Sequence, residues 1–230
     1  HMYFPFYEGT NETRYGWMDE GMAYFLPWDL QIELSEYDHR TRAAIGFSKW
    51  AGNEMDIPMI LPSILSRDPH LSMMSYYKPA LAYEMLESAL GDELFKKCLK
   101  EFIARWNGKH PTPWDMFYTF EDVGKQDLSW FWNPWFFESH IPDLAIKDLK
   151  IENGKTKVLI ENVGNLPVPI DLTLTLEDGT HTKLSASTSI WENGDKKVWL
   201  DVDVKSKVKS VEMLNKNIPD ADANNNKLTA

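Results

Sequence analysis

The sequence predicts an α+β chain of two domains, a helical part over residues 1–141 followed by a small β-sandwich over 142–230. Two observations carry this prediction. Apolar residues recur three and four positions apart as far as about residue 140, and beyond Pro142 they alternate with polar ones. The dipeptides Asn153-Gly154, Asp178-Gly179 and Asn193-Gly194 then divide the second part into short segments, as hairpin turns do.

In the helical part, Leu81, Ala82, Met85, Leu86, Ala89 and Leu90 fall on one helix face, and Gly91 stops the run. Leu94, Phe95, Cys98, Leu99, Phe102, Ile103 and Trp106 repeat the pattern. Thr112-Pro113 reads as an N-cap with proline in the first helical position, and a further helix is expected from Asp127, carrying Phe131, Trp135 and Phe136 inward. Short links between these runs suit antiparallel neighbours in a bundle. The stretch 55–75 contains Pro58, Pro62 and Pro69, so it reads as a long connector with short helical turns, or alternatively as the lining of a cleft.

In the second part, residues 157–160, 170–176 and 198–204 are strand-like, and Ile170-Asp171-Leu172-Thr173-Leu174-Thr175-Leu176 alternates without a break. Their spacing predicts roughly six or seven strands in an immunoglobulin-like sandwich. The Asp- and Asn-rich tail from Pro219 is expected to be loop.

Hydrophobic residues make up 43% of the 230 and aromatics 13%, so the chain can bury a core and is not disordered. A formal net charge of −11 argues against a nucleic-acid partner. No run of about 18 apolar residues occurs, so no membrane span is expected. Cys98 is the one cysteine, placed on an apolar helix face, which excludes an internal disulfide and predicts an inert thiol. No signal peptide is found in these residues, which leaves the location open, with a periplasmic or secreted place favoured.

The most informative segment is Tyr15-Gly16-Trp17-Met18-Asp19-Glu20-Gly21-Met22-Ala23. It resembles the W-x-x-E-G-x-A motif of the aminopeptidase N family of zinc metallopeptidases. Taken alone, Glu20 would be a solvated or capping acid; Trp17, Gly21 and Ala23 at matching places reverse that reading. The resemblance implies that Glu20 is the third zinc ligand, after two histidines of an upstream H-E-x-x-H helix whose inner Glu is the general base. In that family the third ligand lies 19 positions after the second histidine, and His1 stands 19 positions before Glu20. His1 is therefore either the native second zinc ligand or, with Met2, a remnant of a cloning vector. Tyr3-Phe4-Pro5-Phe6 resembles the aromatic-Pro segment that follows the motif in relatives.

A second match is Ser75-Tyr76-Tyr77-Lys78-Pro79-Ala80, which resembles the family's Y-E-K-G-A segment, with Tyr77 in place of Glu and Pro79 in place of Gly. Aligned on Lys78, Tyr76 takes the place of the tyrosine whose hydroxyl stabilises the oxyanion. Residues 91–95 and 126–135 look like the helices that close the family's catalytic domain. The fold implied is the helical C-terminal part of a thermolysin-like (gluzincin) catalytic domain, followed by the β domain placed next in this family.

The resemblance implies a fragment of a zinc-dependent aminopeptidase acting on peptide or protein substrates. The first histidine, the inner Glu and the family's G-x-M-E-N segment, which holds a substrate's amino terminus, are not found in these residues. The fragment alone is therefore expected to be inactive, with zinc weak or absent on Glu20 and His1 only. The alternative is a non-catalytic binding or scaffold module that retains the fold. Other candidates fall away. His39, His70, His110, His140 and His181 lack metal-ligand spacing, Asp220-x-Asp222-x-Asn224 lacks the Gly and Glu of a calcium loop, and Trp130-Phe131-Trp132-Asn133-Pro134-Trp135 reads as core. A glycan-binding sandwich would need Trp191 and Trp199 exposed and coplanar.

Overall fold

The structure is a computed structural model that describes residues 1–230 except 36, 55, 153, 154 and 205. The expected Asn153-Gly154 turn lies outside the described residues. The helical part comprises α1 (Glu12–Phe25), α2 (Trp28–Ser35), α3 (His39–Trp50), α4 (His70–Ser72), α5 (Lys78–Leu90), α6 (Asp92–Trp106), α7 (Pro113–Gly124) and α8 (Ser129–Trp132). Gly91, at φ +80°, ends α5 and turns the chain into α6 with a single residue, a conformation that glycine adopts without strain. The apolar stripe of α6 buries Phe95, Cys98, Leu99 and Phe102. Thr112 and Asp115 form a reciprocal capping box at the start of α7, and Pro113 in the first turn has no N–H to satisfy. The last helix begins at Ser129 rather than Asp127, because the Asp127 carboxylate accepts from the Ser129 N–H at 2.8 Å and acts as a local cap. Phe131, Trp135 and Phe136 are fully buried, and the Trp135 indole donates to the Pro167 carbonyl at 3.0 Å across the junction of the two parts.

Two features of the helical part were not foreseen. α1 is kinked at Tyr15 (φ −131°, ψ 56°), and the Ser63 hydroxyl accepts from the Gly16 N–H at 2.8 Å, satisfying a donor that the kink releases. Between α4 and α5 the chain makes a wide π turn over Met73–Tyr77, where the Lys78 N–H reaches the Met73 carbonyl. Pro79, immediately following, has no N–H to continue the ordinary ladder, which accounts for a widened turn at that point.

The second part contains two antiparallel sheets among the described residues. Strands β1 (Leu144–Glu152), β2 (Lys155–Asn162) and β5 (Lys197–Val202) form one, in the order β1-β2-β5. Strands β4 (His181–Ala186), β3 (Ile170–Leu176), β6 (Val208–Glu212) and β7 (Lys227–Thr229) form the other, in that order. In the constant-type immunoglobulin order the fourth strand lies beside the fifth. Here the Asp178-Gly179 turn, with Gly179 at φ +83°, folds β4 straight back onto β3, pairing Thr175 with His181. Alternate residues of β3 (Ile170, Leu172, Leu174 and Leu176) are buried, and one apolar cluster runs through both sheets and the helical part.

The tail differs from the expected loop. Lys227–Thr229 pairs with β6, and the Asp220 N–H donates to the Ser48 hydroxyl at 2.8 Å. The Asp220 carboxylate accepts from the Leu144 N–H, and burial pushes its carboxyl up to about 6. Aspartates and asparagines that read as loop formers instead satisfy backbone donors at a docked terminus. Trp191 is buried, its indole donating to the Val168 carbonyl, while Trp199 is part-exposed beneath Lys150, so the two do not form a shared platform.

Candidate active site

Glu20 lies on α1 five residues before its end, and the residues around it explain its orientation. Trp17, Met18, Gly21, Met22 and Phe25 are buried, which leaves Glu20 facing a cleft while still partly covered. Trp17 stacks on Phe117 with ring centroids 5.9 Å apart and packs against Phe136 at 4.7 Å, and the Tyr83 hydroxyl donates to its carbonyl. These contacts hold α1 against rotation about its own axis.

α1 and α5 approach closely because Gly21 has no side chain. A Cβ at Gly21 would lie 2.8 Å from Pro79 Cβ and 3.2 Å from Tyr83 Cε2. We expect Gly21→Ala to force the two helices apart and to cost about 1–3 kcal/mol in chemical denaturation. Gly46 supplies the control. It lies in the interior of α3, where a Cβ meets only Met73 Cε at 4.0 Å, so Gly46→Ala should be neutral or stabilising by about 0.4–1 kcal/mol. Equal losses in both variants would contradict the close-approach account.

Three sequence-predicted residues converge here. The His1 Nε2 lies 2.5 Å from Glu20 Oε2, and Tyr76, delivered by the π turn before α5, lines the same cleft as Glu20. Burial and a hydrogen bond to Glu20 raise the Tyr76 phenol well above its ordinary range, so the group stays protonated and remains a donor. The cleft, about 320 Å³, is also lined by Ser63, Ile64, Leu71 and Ser75. Of the two readings the sequence left open for the 55–75 stretch, connector or cleft lining, the second describes Ser63, Ile64, Leu71 and Ser75.

The sequence reading missed two groups. Asp19 is fully buried, and its Oδ1 lies 3.6 Å from His1 Nε2. Burial, reinforced by the charges of Glu20 and Glu12 and by a hydrogen bond to the Glu12 carboxyl, pushes the Asp19 carboxyl up to about 7. His1, Asp19 and Glu20 each offer one donor atom, and all lie within 4.8 Å of one another. No other such group of His, Cys, Asp and Glu occurs among the described residues. The second missed group is a buried ion pair behind Tyr76, Lys78 Nζ to Asp56 Oδ1 at 3.0 Å, with both side chains fully enclosed. Burial lowers the Lys78 ammonium from its ordinary value, and Asp56 opposes that shift. Asp56 also accepts from the Gly52 N–H, so the pair ties the connector to the start of α5.

Comparison with known proteins fits this geometry. The model of the Peptidase family M1 domain matches residues 14–135, which include Glu20 and Tyr76. Aminopeptidase N of Escherichia coli (strain K12) is 25% identical over 158 residues, covering 64% of this chain and 18% of the relative. Aminopeptidase M1-A of Oryza sativa subsp. japonica is 25% identical over 171 residues, 68% of this chain and 19% of the relative. The solved structure of Legionella pneumophila aminopeptidase A in complex with aspartic acid is similar with a TM-score of 0.60 and 18% identity, over 89% of this chain and 23% of that one. That likeness bears on the fold alone. The chain thus spans about a fifth of the length of the relatives it matches. No helix among the described residues is long and apolar enough to cross a membrane.

Proposed function

This chain belongs to peptidase family M1, and from that premise we propose that it forms the C-terminal helical part of a gluzincin-type catalytic domain with its following β-sandwich, in a zinc-dependent hydrolase of peptides. One observation carries the reading: the Glu20 carboxylate faces His1 at 2.5 Å and shares its cleft with Tyr76. The donor set fits a zinc ion, since imidazole nitrogen and carboxylate oxygen are the donor types a catalytic zinc takes. Glu20 and His1 would hold it, with a further histidine from the rest of the motif. When bound, such an ion polarises a scissile carbonyl and makes water a nucleophile at neutral pH.

The chain's own groups supply the remainder. The Tyr76 hydroxyl, kept protonated by its surroundings, donates to the carbonyl oxygen on which charge develops. The Lys78–Asp56 pair fixes the helix start that carries Tyr76. Ser63 and Ile64 wall the cleft on the side facing α1.

Residues 1–230 contain no H-E-x-x-H sequence, so they lack a base for the attacking water. The zinc-loaded chain by itself should give no turnover of an aminoacyl-anilide, and robust metal-dependent cleavage would contradict that expectation. In the protein carrying the complete motif, Tyr76→Phe should lower kcat about 10²–10³-fold with KM little changed. An unchanged kcat would remove Tyr76 from the reaction.

A further inference from the structure

Among the described residues, one arginine near Tyr76 has no carboxylate partner. We propose that this residue, Arg42, receives a carboxylate of the bound peptide beyond the scissile bond, so that the protein selects short peptides with a free C-terminus or an acidic residue there. The inference rests on the peptide-hydrolase reading above for the reaction, and on the structure for Arg42.

Asp and Glu outnumber Lys and Arg by 35 to 24, so an arginine left without an acid runs against the composition. Arg42 Nη1 donates to the Tyr37 hydroxyl, and its other close neighbours are Tyr77 and Tyr24 rather than any carboxylate. Arg40, two positions earlier, shows the contrast, pairing with Glu84 at 2.5 Å and with Asp29 at 2.7 Å. Asp38, one helical turn before Arg42, is already occupied by the N–H and the hydroxyl of Thr41. The Arg42 guanidinium is exposed and lies over the Tyr37 ring, 6.0 Å from its centroid. A planar fork held in this way, with its Nε and Nη2 unused, matches a carboxylate.

Its position relates it to the reaction. Tyr24 lies on α1 one turn beyond Glu20, and its ring meets those of Tyr76 and Tyr77 edge-on, with centroids 6.3 and 5.5 Å apart. The Tyr24 hydroxyl bonds His39 Nδ1 at 3.3 Å, which ties this end of α1 to the start of α3 and so to Arg42. The cleft described above runs the other way along α1, from Glu20 and Tyr76 back to Glu12. A peptide lying along α1 therefore meets an acid at one end and Arg42 at the other. The ammonium end suits Glu12 and the carboxylate end suits Arg42, and the reverse direction would set like charges together.

The test compares kcat/KM in the protein that carries the complete motif, using matched pairs. One pair is Leu-Ala-Ala and its C-terminal amide; the other is Leu-Glu amide and Leu-Gln amide. The charged member of at least one pair should be preferred by about tenfold or more, the size of a hydrogen bond to a charged group. The pair that shows the preference identifies whether the carboxylate is terminal or a side chain. In Arg42→Gln that ratio should fall to about one, and Arg42→Lys should keep part of it. No preference in either pair, or a preference that survives Arg42→Gln, would overturn the assignment and leave the peptidase reading standing. An equal loss on charged and neutral members would do the same, because an arginine that only supports Tyr37 and Tyr24 acts alike on every substrate. No hydrolysis of any of these peptides would overturn the peptidase reading, and the selection with it.

Should Arg42→Gln disturb folding, NMR of the unsubstituted chain with 15N-labelled arginine side chains decides the matter. N-acetylalanine should shift the Arg42 Nε–H signal while N-acetylalanine amide leaves it in place. No shift, or the same shift with both, overturns the proposal.

Discussion

Glu20→Gln, made in the protein that carries the complete ligand set, is expected to lose more than about a hundredfold in zinc affinity, with hydrolysis falling in parallel when zinc is limiting. Loss of a mere supporting partner around a metal costs about 10–100-fold, and loss of a ligand exceeds that. Glutamine keeps the size and shape of the side chain but replaces an anionic oxygen with a neutral amide. Glu20 is part-exposed and belongs to the cleft rather than the core, so folding stability should change by no more than about 0.5 kcal/mol. Metal content after dialysis against a weak chelator, with turnover of an aminoacyl-anilide at fixed free zinc, measures both. Retention of zinc at parental strength would remove Glu20 from the metal site.

The second large effect concerns stability. Lys78→Met should destabilise the chain by about 3–5 kcal/mol, the usual result of removing one partner from an enclosed ion pair. Lys78 and Asp56 are both fully enclosed, 3.0 Å apart, and Lys78 also lies over the Phe47 ring at 5.4 Å. Methionine fills much of the volume of the lysine stem, so the loss isolates the unpaired Asp56 charge. Adding Asp56→Asn should recover part of the stability, because a neutral amide can still accept from the Gly52 N–H. Urea denaturation of the single and double variants checks this. A cost below about 1 kcal/mol for Lys78→Met would show that the pair contributes little. The pair joins the connector to the start of α5, so its loss should also displace Tyr76.

Much of this architecture was legible in the sequence because it follows from local periodicity. Leu81 to Leu90 and Leu94 to Trp106 appear as α5 and α6, with Gly91 between them, and the alternation from Ile170 to Leu176 appears as β3. Glu20 and Tyr76 were legible for a different reason: their neighbours matched a motif, although 55 positions of chain separate them. What escaped depends on partners distant in sequence. Asp56 and Lys78 are charged residues that composition assigns to the surface, and each is buried only because the other meets it there. Asp19 gives no periodic signal of burial, being a carboxylate between Met18 and Glu20. The kink at Tyr15 is completed by Ser63, and the tail strand Lys227–Thr229 is defined by β6, so neither could be read from its own segment.

The most direct test of the account is anomalous X-ray diffraction at the zinc edge from crystals of the zinc-loaded protein. The predicted result is one peak bonded to His1 Nε2 and a Glu20 carboxylate oxygen, at about 2.0–2.2 Å from each, with the Tyr76 hydroxyl facing it across the cleft. A peak elsewhere in the molecule, or a Glu20 side chain turned away from His1 with zinc bound, would contradict the account.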